Sequence, residues 1–385
     1  KPRPAYVGPQ IYTRGVAIST LTPTNTGGAV LSPSAINLNT LFTENQVLDF
    51  SRDASTGNIY VLYQDSNWAT KIAKLDNANP ANILSTSSVL SFSNGDNPRK
   101  IAYSNNTLFI SCYDNGSTSS IYQVDINTLN PGANPVISLP TSGFGSIYRL
   151  LVHQGRIFAP SEDMGLWVYS ASTFQPEPHT ITHGFLGTIQ GLFPPADLGL
   201  GGRIVDVAVK PTGEFLFFSD NTKEFVTSTF NTQTSSFTQQ SNVTLASNVK
   251  AAASSNGSTY YVSDSYPNEG IGSISAGSMS PMLLATGTAY DGSNPRATGQ
   301  QNDIAIGGIG YGNSTIAADD NGALYFIDHS AAIRKYEERV AYRINPSLPA
   351  GLSLNIQTGA ISGTATATAP ATDYTVTAYN NVGSR

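Results

Sequence analysis

Hydrophobic positions in this chain come in short runs, and the runs recur in pairs around small polar turns. Leu48-Asp49-Phe50 leads through Asp53 and Gly57 to Asn58-Ile59-Tyr60-Val61-Leu62. Ile101-Ala102-Tyr103 leads through Asn105-Asn106 to Leu108-Phe109-Ile110, and Leu150-Leu151-Val152 leads through Gln154-Gly155 to Ile157-Phe158. Positions 204–209 lead through Pro211-Thr212-Gly213 to Phe215-Leu216-Phe217-Phe218. Positions 250–253 lead through Asn256-Gly257 to Tyr260-Tyr261-Val262. Ile316-Ala317-Ala318 leads through Asp319-Asp320-Asn321-Gly322 to Leu324-Tyr325-Phe326-Ile327. Gly and Asn tolerate positive φ, so these are hairpin turns and the flanking runs are strands.

Each hairpin is followed by a third strand in which apolar and polar residues mostly alternate, as in Lys71-Ile72-Ala73-Lys74-Leu75 and Ser120-Ile121-Tyr122-Gln123-Val124. That alternation marks a half-buried outer strand. A fourth strand follows in five units: Ile83-Leu84, Val136-Ile137-Ser138-Leu139, Thr180-Ile181-Thr182, Val243-Thr244-Leu245 and Met282-Leu283-Leu284. The sixth unit lacks one, but a spare strand, Ala35-Ile36-Asn37-Leu38, precedes the first. Six four-stranded units of about 50 residues predict a β-propeller, with a β-sandwich array as the alternative. The spare strand would close the ring by pairing with the third strand of the last blade, removing an open edge. The units resemble NHL-type propeller repeats, most clearly in the last, where Asp319-Asp320-Asn321-Gly322 precedes Leu324-Tyr325-Phe326-Ile327-Asp328 and Ile333-Arg334-Lys335.

The two ends have another character. Near the C-terminus stand Leu348-Pro349-Ala350-Gly351-Leu352-Ser353-Leu354-Asn355, Thr358-Gly359-Ala360-Ile361-Ser362-Gly363-Thr364 and Tyr374-Thr375-Val376-Thr377-Ala378. These motifs resemble the Putative Ig family of bacterial surface proteins, an Ig-like sandwich found in tandem arrays. The opening strands of that family are missing before Ala341. Similar segments stand at the other end, Tyr12-Thr13-Arg14-Gly15-Val16-Ala17-Ile18 and Leu21-Thr22-Pro23-Thr24. The resemblance implies one discontinuous Ig-like domain, 1–31 and 341–385, with the propeller, 32–340, inserted in a turn. Paired closing strands would make the propeller's two ends neighbours, which domain insertion requires. The alternative is two partial Ig domains, each completed by a neighbour. The family's usual strand after Gly383-Ser384 is absent, which leaves open that another copy donates it by β-strand addition.

Composition fits an all-β chain. Only 12% of residues are charged, against about 25% in an average soluble domain. Ser, Thr, Asn and Gly take the place of charge, while 19 Tyr and 16 Phe exclude a disordered chain. A pI of about 5.2 argues against nucleic acid, which needs clustered Lys and Arg. No apolar run reaches the ~18 residues of a membrane span. The single cysteine, Cys112, excludes internal disulfides and multi-cysteine metal motifs, and its run Leu108-Phe109-Ile110-Ser111 places it in a buried strand.

Few residues suggest chemistry. In a strand, His179 and His183 would be ~13 Å apart, too far for one metal. His153 and His329 read as turn or surface residues, and no set of histidines around the axis is visible. Asp319-Asp320, Glu337-Glu338 and Glu162-Asp163 are accounted for by turns and solvation. The inner strands offer Asp49, Arg99, Lys100, Arg149, Arg203, Asp206 and Lys250 near the axis, where mixed charge suits a polar or anionic ligand or a solvated rim. Trp68 could stack on a sugar, and the loops at 190–202 and 285–312 are further binding candidates.

The sequence therefore predicts a non-enzymatic extracellular surface protein for adhesion, polymer binding or assembly, with no metal or cofactor. Its expected partners are proteins, copies of itself through Ig-like strands, and polysaccharide, with no nucleic acid and no membrane span. The rival readings are a propeller enzyme of lyase or lactonase type and a carbohydrate-binding module of a larger exported enzyme.

Overall fold

The computed structural model describes residues 2–30, 36–76, 82–92, 96–113, 119–139, 147–161, 164–183, 186–219, 222–249, 251–255, 258–263, 270–275, 277–284, 315–319, 323–328, 332–338, 341–346 and 348–379. The chain forms two compact units: Leu38–Lys335, and Lys1–Asn37 together with Tyr336–Arg385.

The larger unit is a six-bladed propeller of four-stranded antiparallel sheets. From axis to rim, blade one runs Gln46–Arg52, Ile59–Gln64, Thr70–Leu75 and Ile83–Thr86. Blade two runs Asn97–Ser104, Thr107–Tyr113, Ser119–Val124 and Ile137–Leu139. Blade three runs Leu151–His153, Arg156–Ser161, Gly165–Ser170 and Leu192–Phe193. Blade four runs Ile204–Val209, Glu214–Ser219, Glu224–Asn231 and Ser236–Thr244, and blade five Ala251–Ser255, Ser258–Ser263, Gly270–Ser275 and Ser278–Leu284. Blade six takes Ile316–Ala318, Leu324–Asp328 and Ala332–Glu338, and its rim strand is Ile36–Thr43 from the start of the chain.

The core lies in layers between blades. Side chains alternate across a strand, so the second strand of each blade feeds two layers. In blade one, Ile59, Val61 and Tyr63 pack toward blade six and the closing strand, with Leu41, Phe42, Tyr325 and Ile333. Tyr60 and Leu62 pack toward blade two, with Ile101, Leu108, Ile110 and Cys112. In blade four, Phe215 and Phe217 face blade three, while Leu216 and Phe218 face blade five. This two-sided burial explains why second strands are nearly all apolar and third strands are less so. The turns follow the residues that form them: Asn105 and Asn106 sit at φ 48 and 61, and Gln154 and Gly155 at φ 47 and 72, the pair of positive angles a two-residue hairpin needs.

Blade three departs from the expected order. Thr180–His183 is not its rim strand but pairs with Gly187–Gln190 in a separate hairpin. The rim strand is Leu192–Phe193, opposite Trp167 and Leu166. Burial decides between them. Thr180 and Thr182 are exposed, whereas Leu192 joins the layer around Trp167 and Phe193 joins a cluster of Phe158, Phe215, Phe230 and Phe237. The stretch 190–202, expected as a binding loop, is instead this strand plus a short 3-10 helix, Pro195–Leu198, with Leu198 and Leu200 buried. The loop expected at 285–312 lies outside the described residues.

The smaller unit draws on both chain ends. Tyr342–Asn345 pairs with Thr375–Ala378, and Leu352–Leu354 with Ile361–Gly363. The N-terminal segment adds to the latter pair: Ile18 N–H donates to Gly363 O, and Leu21 and Ile361 exchange amide hydrogen bonds at 2.9 Å. Two glycines of the Thr358–Thr364 motif are fixed by close approach. A Cβ on Gly359 would meet Pro23 and the Tyr342 ring at 2.8 and 2.9 Å, and one on Gly363 would meet Gly351 O at 2.2 Å.

Closure by Ile36–Thr43 should be costly to weaken. Phe42, 6% exposed and edge-on to Tyr63 at 5.1 Å, should cost about 3–5 kcal/mol when replaced by Ala. Ile83→Ala, on an exposed rim strand, should stay within about 0.5 kcal/mol. Urea unfolding midpoints of the two variants check this. Cys112 is 1% exposed, and burial pushes its thiol well above the ordinary range. Iodoacetamide at pH 8 should therefore leave the folded chain unlabelled and modify it rapidly in urea.

Candidate functional site

The inner strands bring Asp49, Lys100 and Asp206 to the propeller axis, and the segment ahead of blade three brings Arg149. These strands run parallel, since Asp49 Oδ2 accepts from Ile101 N–H at 2.8 Å and Ser51 Oγ accepts from Tyr103 N–H at 2.9 Å, with the same offset. Asp49, Lys100 and Asp206 each directly follow a β-bulge in the inner strands of blades one, two and four. A bulge locally bends the strand and re-aims a side chain. Here it delivers a charged residue into the crowded centre from three separate blades.

Both acids are engaged by their neighbours. Asp49, 1% exposed, accepts from the Ile101 amide of blade two and from the Thr315 hydroxyl ahead of blade six. Asp206, 2% exposed, accepts from its neighbour Val207 at 2.8 Å and from Ala252 N–H of blade five. Arg149, from the segment leading into blade three, places Nε 3.8 Å from Asp206 Oδ1 and Nη2 3.5 Å from Ile316 O of blade six. It thus reaches toward blades four and six together. Lys100, 1% exposed, lies in the field of Asp49, Arg149, Asp206 and Arg99.

Burial sets the protonation behaviour. It pushes the Lys100 ammonium down from its ordinary range, with Asp49 and Asp206 opposing and Arg149 and Arg99 adding to the shift. Burial likewise pushes the Asp206 carboxyl up, against the pull of Arg149, the Ala252 and Val207 amides and Lys100. The carboxylates are hydrogen-bonded to the scaffold itself, which suits holding inner strands together.

The remaining candidates scatter. Arg99 is the bulged residue of blade two and is exposed, and Arg203 is half-buried just before Ile204. Lys250 lies outside the described residues, as do His329, Glu162, Asp163 and Asp320. His179 stacks on Phe193 at 4.1 Å and places Nε2 3.0 Å from Asp197 Oδ2, so its ring is fixed by packing. His153 lies edge-on to Phe215, and burial pushes its pKa down. Among the described residues no group of three or more His, Cys, Asp or Glu could hold a metal ion. Sequence reasoning missed Thr315. Its place one residue ahead of an inner strand is the only signal, and that does not reveal its partner.

A second feature lies in blade one. Blade one's inner strand starts at Gln46, its second strand returns to pair Gln64 with Gln46, and residues 65–69 turn at that end. In this turn Asp65 Oδ1 accepts from Asn67 and Ala69 N–H at 2.9 and 3.0 Å, its carbonyl accepts from Trp68 N–H, and Lys71 pairs with its other oxygen at 2.8 Å. Lys71 and the Asn67 amide hold the Asp65 carboxyl below its usual range. The turn presents Trp68 65% exposed.

Comparison with known proteins adds a family match at one end. The Putative Ig domain family matches residues 311–385. That span takes in Ile316–Ala318, Leu324–Asp328 and Ala332–Glu338 of blade six, which are paired as propeller strands. No curated protein matches the sequence. Among solved structures, the PQQ-bound form of aldose sugar dehydrogenase from Streptomyces coelicolor is 13% identical over 80% of this chain and 99% of its own, with a TM-score of 0.46. The WD40 β-propeller domain of Doa1 is 13% identical over 80% of this chain and 98% of its own, at 0.46. Streptogramin B lyase is 13% identical over 80% and 99%, at 0.42. Likeness at this level speaks of neither ligand nor reaction.

If the axial acids hold the ring, removing one should cost stability. Asp49→Ala leaves a buried amide and a buried hydroxyl without an acceptor, and should lower the unfolding free energy by about 3 kcal/mol. Ser51→Ala, which removes one neutral acceptor, should cost about 1 kcal/mol. Denaturant titration of both variants measures the difference.

Proposed function

We propose that this chain is a non-catalytic extracellular surface protein whose propeller binds a polymer or partner and whose smaller unit serves attachment or assembly. The observation that carries this reading is the state of the axial acids. Asp49 and Asp206, the two described carboxylates at the axis, accept hydrogen bonds from backbone amides of adjoining blades. A general acid or base must be within reach of the proton it moves, and these groups instead tie strands together. The Ig-like match at the C-terminal end supports a surface setting. An NHL-like repeat type, a bacterial source, and adhesion or filament assembly through copies of itself belong to the same proposal. No helix among the described residues is long and apolar enough to cross a membrane.

Sedimentation of the full chain with a panel of insoluble cell-wall polysaccharides tests this. The expected outcome is that the chain pellets with at least one polymer and releases no soluble product. Release of fragments, abolished by Asp206→Asn while pelleting persists, would establish the propeller as an enzyme and overturn the reading.

A further inference from the structure

Among the described residues, three large apolar side chains adopt positive φ: Leu129 at 56°, Phe174 at 57° and Trp68 at 61°. This left-handed region is unfavourable for a bulky residue and persists only where the surroundings over-determine it. For Leu129 the compensation is burial, at 1% exposure in the layer between blades one and two. For Phe174 it is packing against the core around Trp167, with its ring 6.4 Å from Phe109. Trp68 has no such burial: its side chain is 65% exposed. Its conformation is held from below by Asp65, which binds the amides of Asn67, Trp68 and Ala69 and the Lys71 ammonium. The fold therefore holds a strained turn in place while leaving the large side chain it carries in solvent.

We propose that Trp68 is the stacking platform of a saccharide-binding site, and that the sugar it takes is neutral. This rests on the reading of the propeller as a polymer-binding body and gives that reading a ligand class and a contact residue. An exposed indole offers a flat apolar face with a polar edge, which matches the C–H face and hydroxyl rim of a pyranose ring. Asn67 and Ser66 are exposed in the same turn and supply an amide and a hydroxyl for those hydroxyls. The turn's two charges, Asp65 and Lys71, pair with each other at 2.8 Å, so it presents no net charge to attract an ionic ligand. The turn opens at the end where blade one's inner strand begins, the end of blade two's inner strand near which the exposed Arg99 stands.

The test uses the full-length chain with soluble cello-, chito- and manno-oligosaccharides and, for comparison, oligogalacturonate. The protein has two tryptophans, and Trp167 is fully buried, so a ligand-dependent change in acrylamide quenching reports on Trp68. A neutral oligosaccharide should protect Trp68 from quenching. Trp68→Ala should bind the same sugar at least tenfold more weakly, and Trp68→Tyr should keep affinity within about threefold, because an aromatic face remains. Trp68→Gly should raise the thermal midpoint by about 1–3 °C, since Gly adopts this φ without strain. Unchanged binding by Trp68→Ala overturns this site and leaves the polymer-binding reading standing. Preference for oligogalacturonate overturns the neutral ligand class. A fall in thermal midpoint for Trp68→Gly shows that the indole serves the fold and also overturns it. Binding of none of these sugars by the unaltered chain overturns the site, and refusal of the cell-wall polymers as well overturns the polymer-binding reading with it.

Discussion

Closure of the ring is the constraint on which the propeller depends. A blade buries both faces only while it has two neighbours, and a row of blades would leave two broad apolar surfaces in water. The chain closes that gap twice. At the rim, Ile36–Thr43 completes the sheet of blade six, and Leu41 and Phe42 enter the layer that also holds Ile59, Val61 and Ile333. At the axis, Asp49 of blade one binds both the blade-two amide of Ile101 and the Thr315 hydroxyl ahead of blade six. Blade one is thus the joint of the ring on the inside as well as the outside.

The axial charges make sense under the same constraint. Six strands converging on one line leave little room for apolar side chains of uniform size, while their outward-facing amides still need acceptors. Asp49 and Asp206 answer that need across the boundaries between blades one and two and between blades four and five. Their charges in turn require cations, which Lys100 and Arg149 provide from blade two and from the approach to blade three. A buried ion group of this kind adds little net stability over an apolar core, but breaking it is costly. Each acid also ties its strand to one amide of the next blade, Asp49 to Ile101 and Asp206 to Ala252.

Much of the fold was legible in the sequence because hairpins announce themselves locally. Asn105-Asn106 and Gln154-Gly155 between apolar runs have one low-energy solution, and repetition in six units points to a ring. The closing strand was legible from a deficit in the last unit. Blade three shows the limit. Thr180-Ile181-Thr182 has the period of a strand and does form one, yet Leu192–Phe193 wins the rim position because its side chains fill the layers beside Trp167 and Phe215. Which of two strands docks is decided by tertiary packing, and period alone does not carry it. At the site, charges on inner strands were visible, but the bulges before Asp49, Lys100 and Asp206 were not, and neither was the Thr315 contact. The strain at Trp68 was equally hidden, since nothing in Asp65-Ser66-Asn67-Trp68 distinguishes a left-handed tryptophan from an ordinary one.

The borrowed rim strand also orders events in time. Ile36–Thr43 leaves the ribosome ahead of blades one to five, and its partner Ala332–Glu338 follows all of them. At ordinary rates of synthesis the wait is on the order of tens of seconds. Through that interval blades one to five can assemble, but the early strand stays unpaired and the layer between blades one and six stays open. A nascent propeller of this design is therefore most vulnerable to misassociation just before blade six emerges, and a holding chaperone would matter most at that stage.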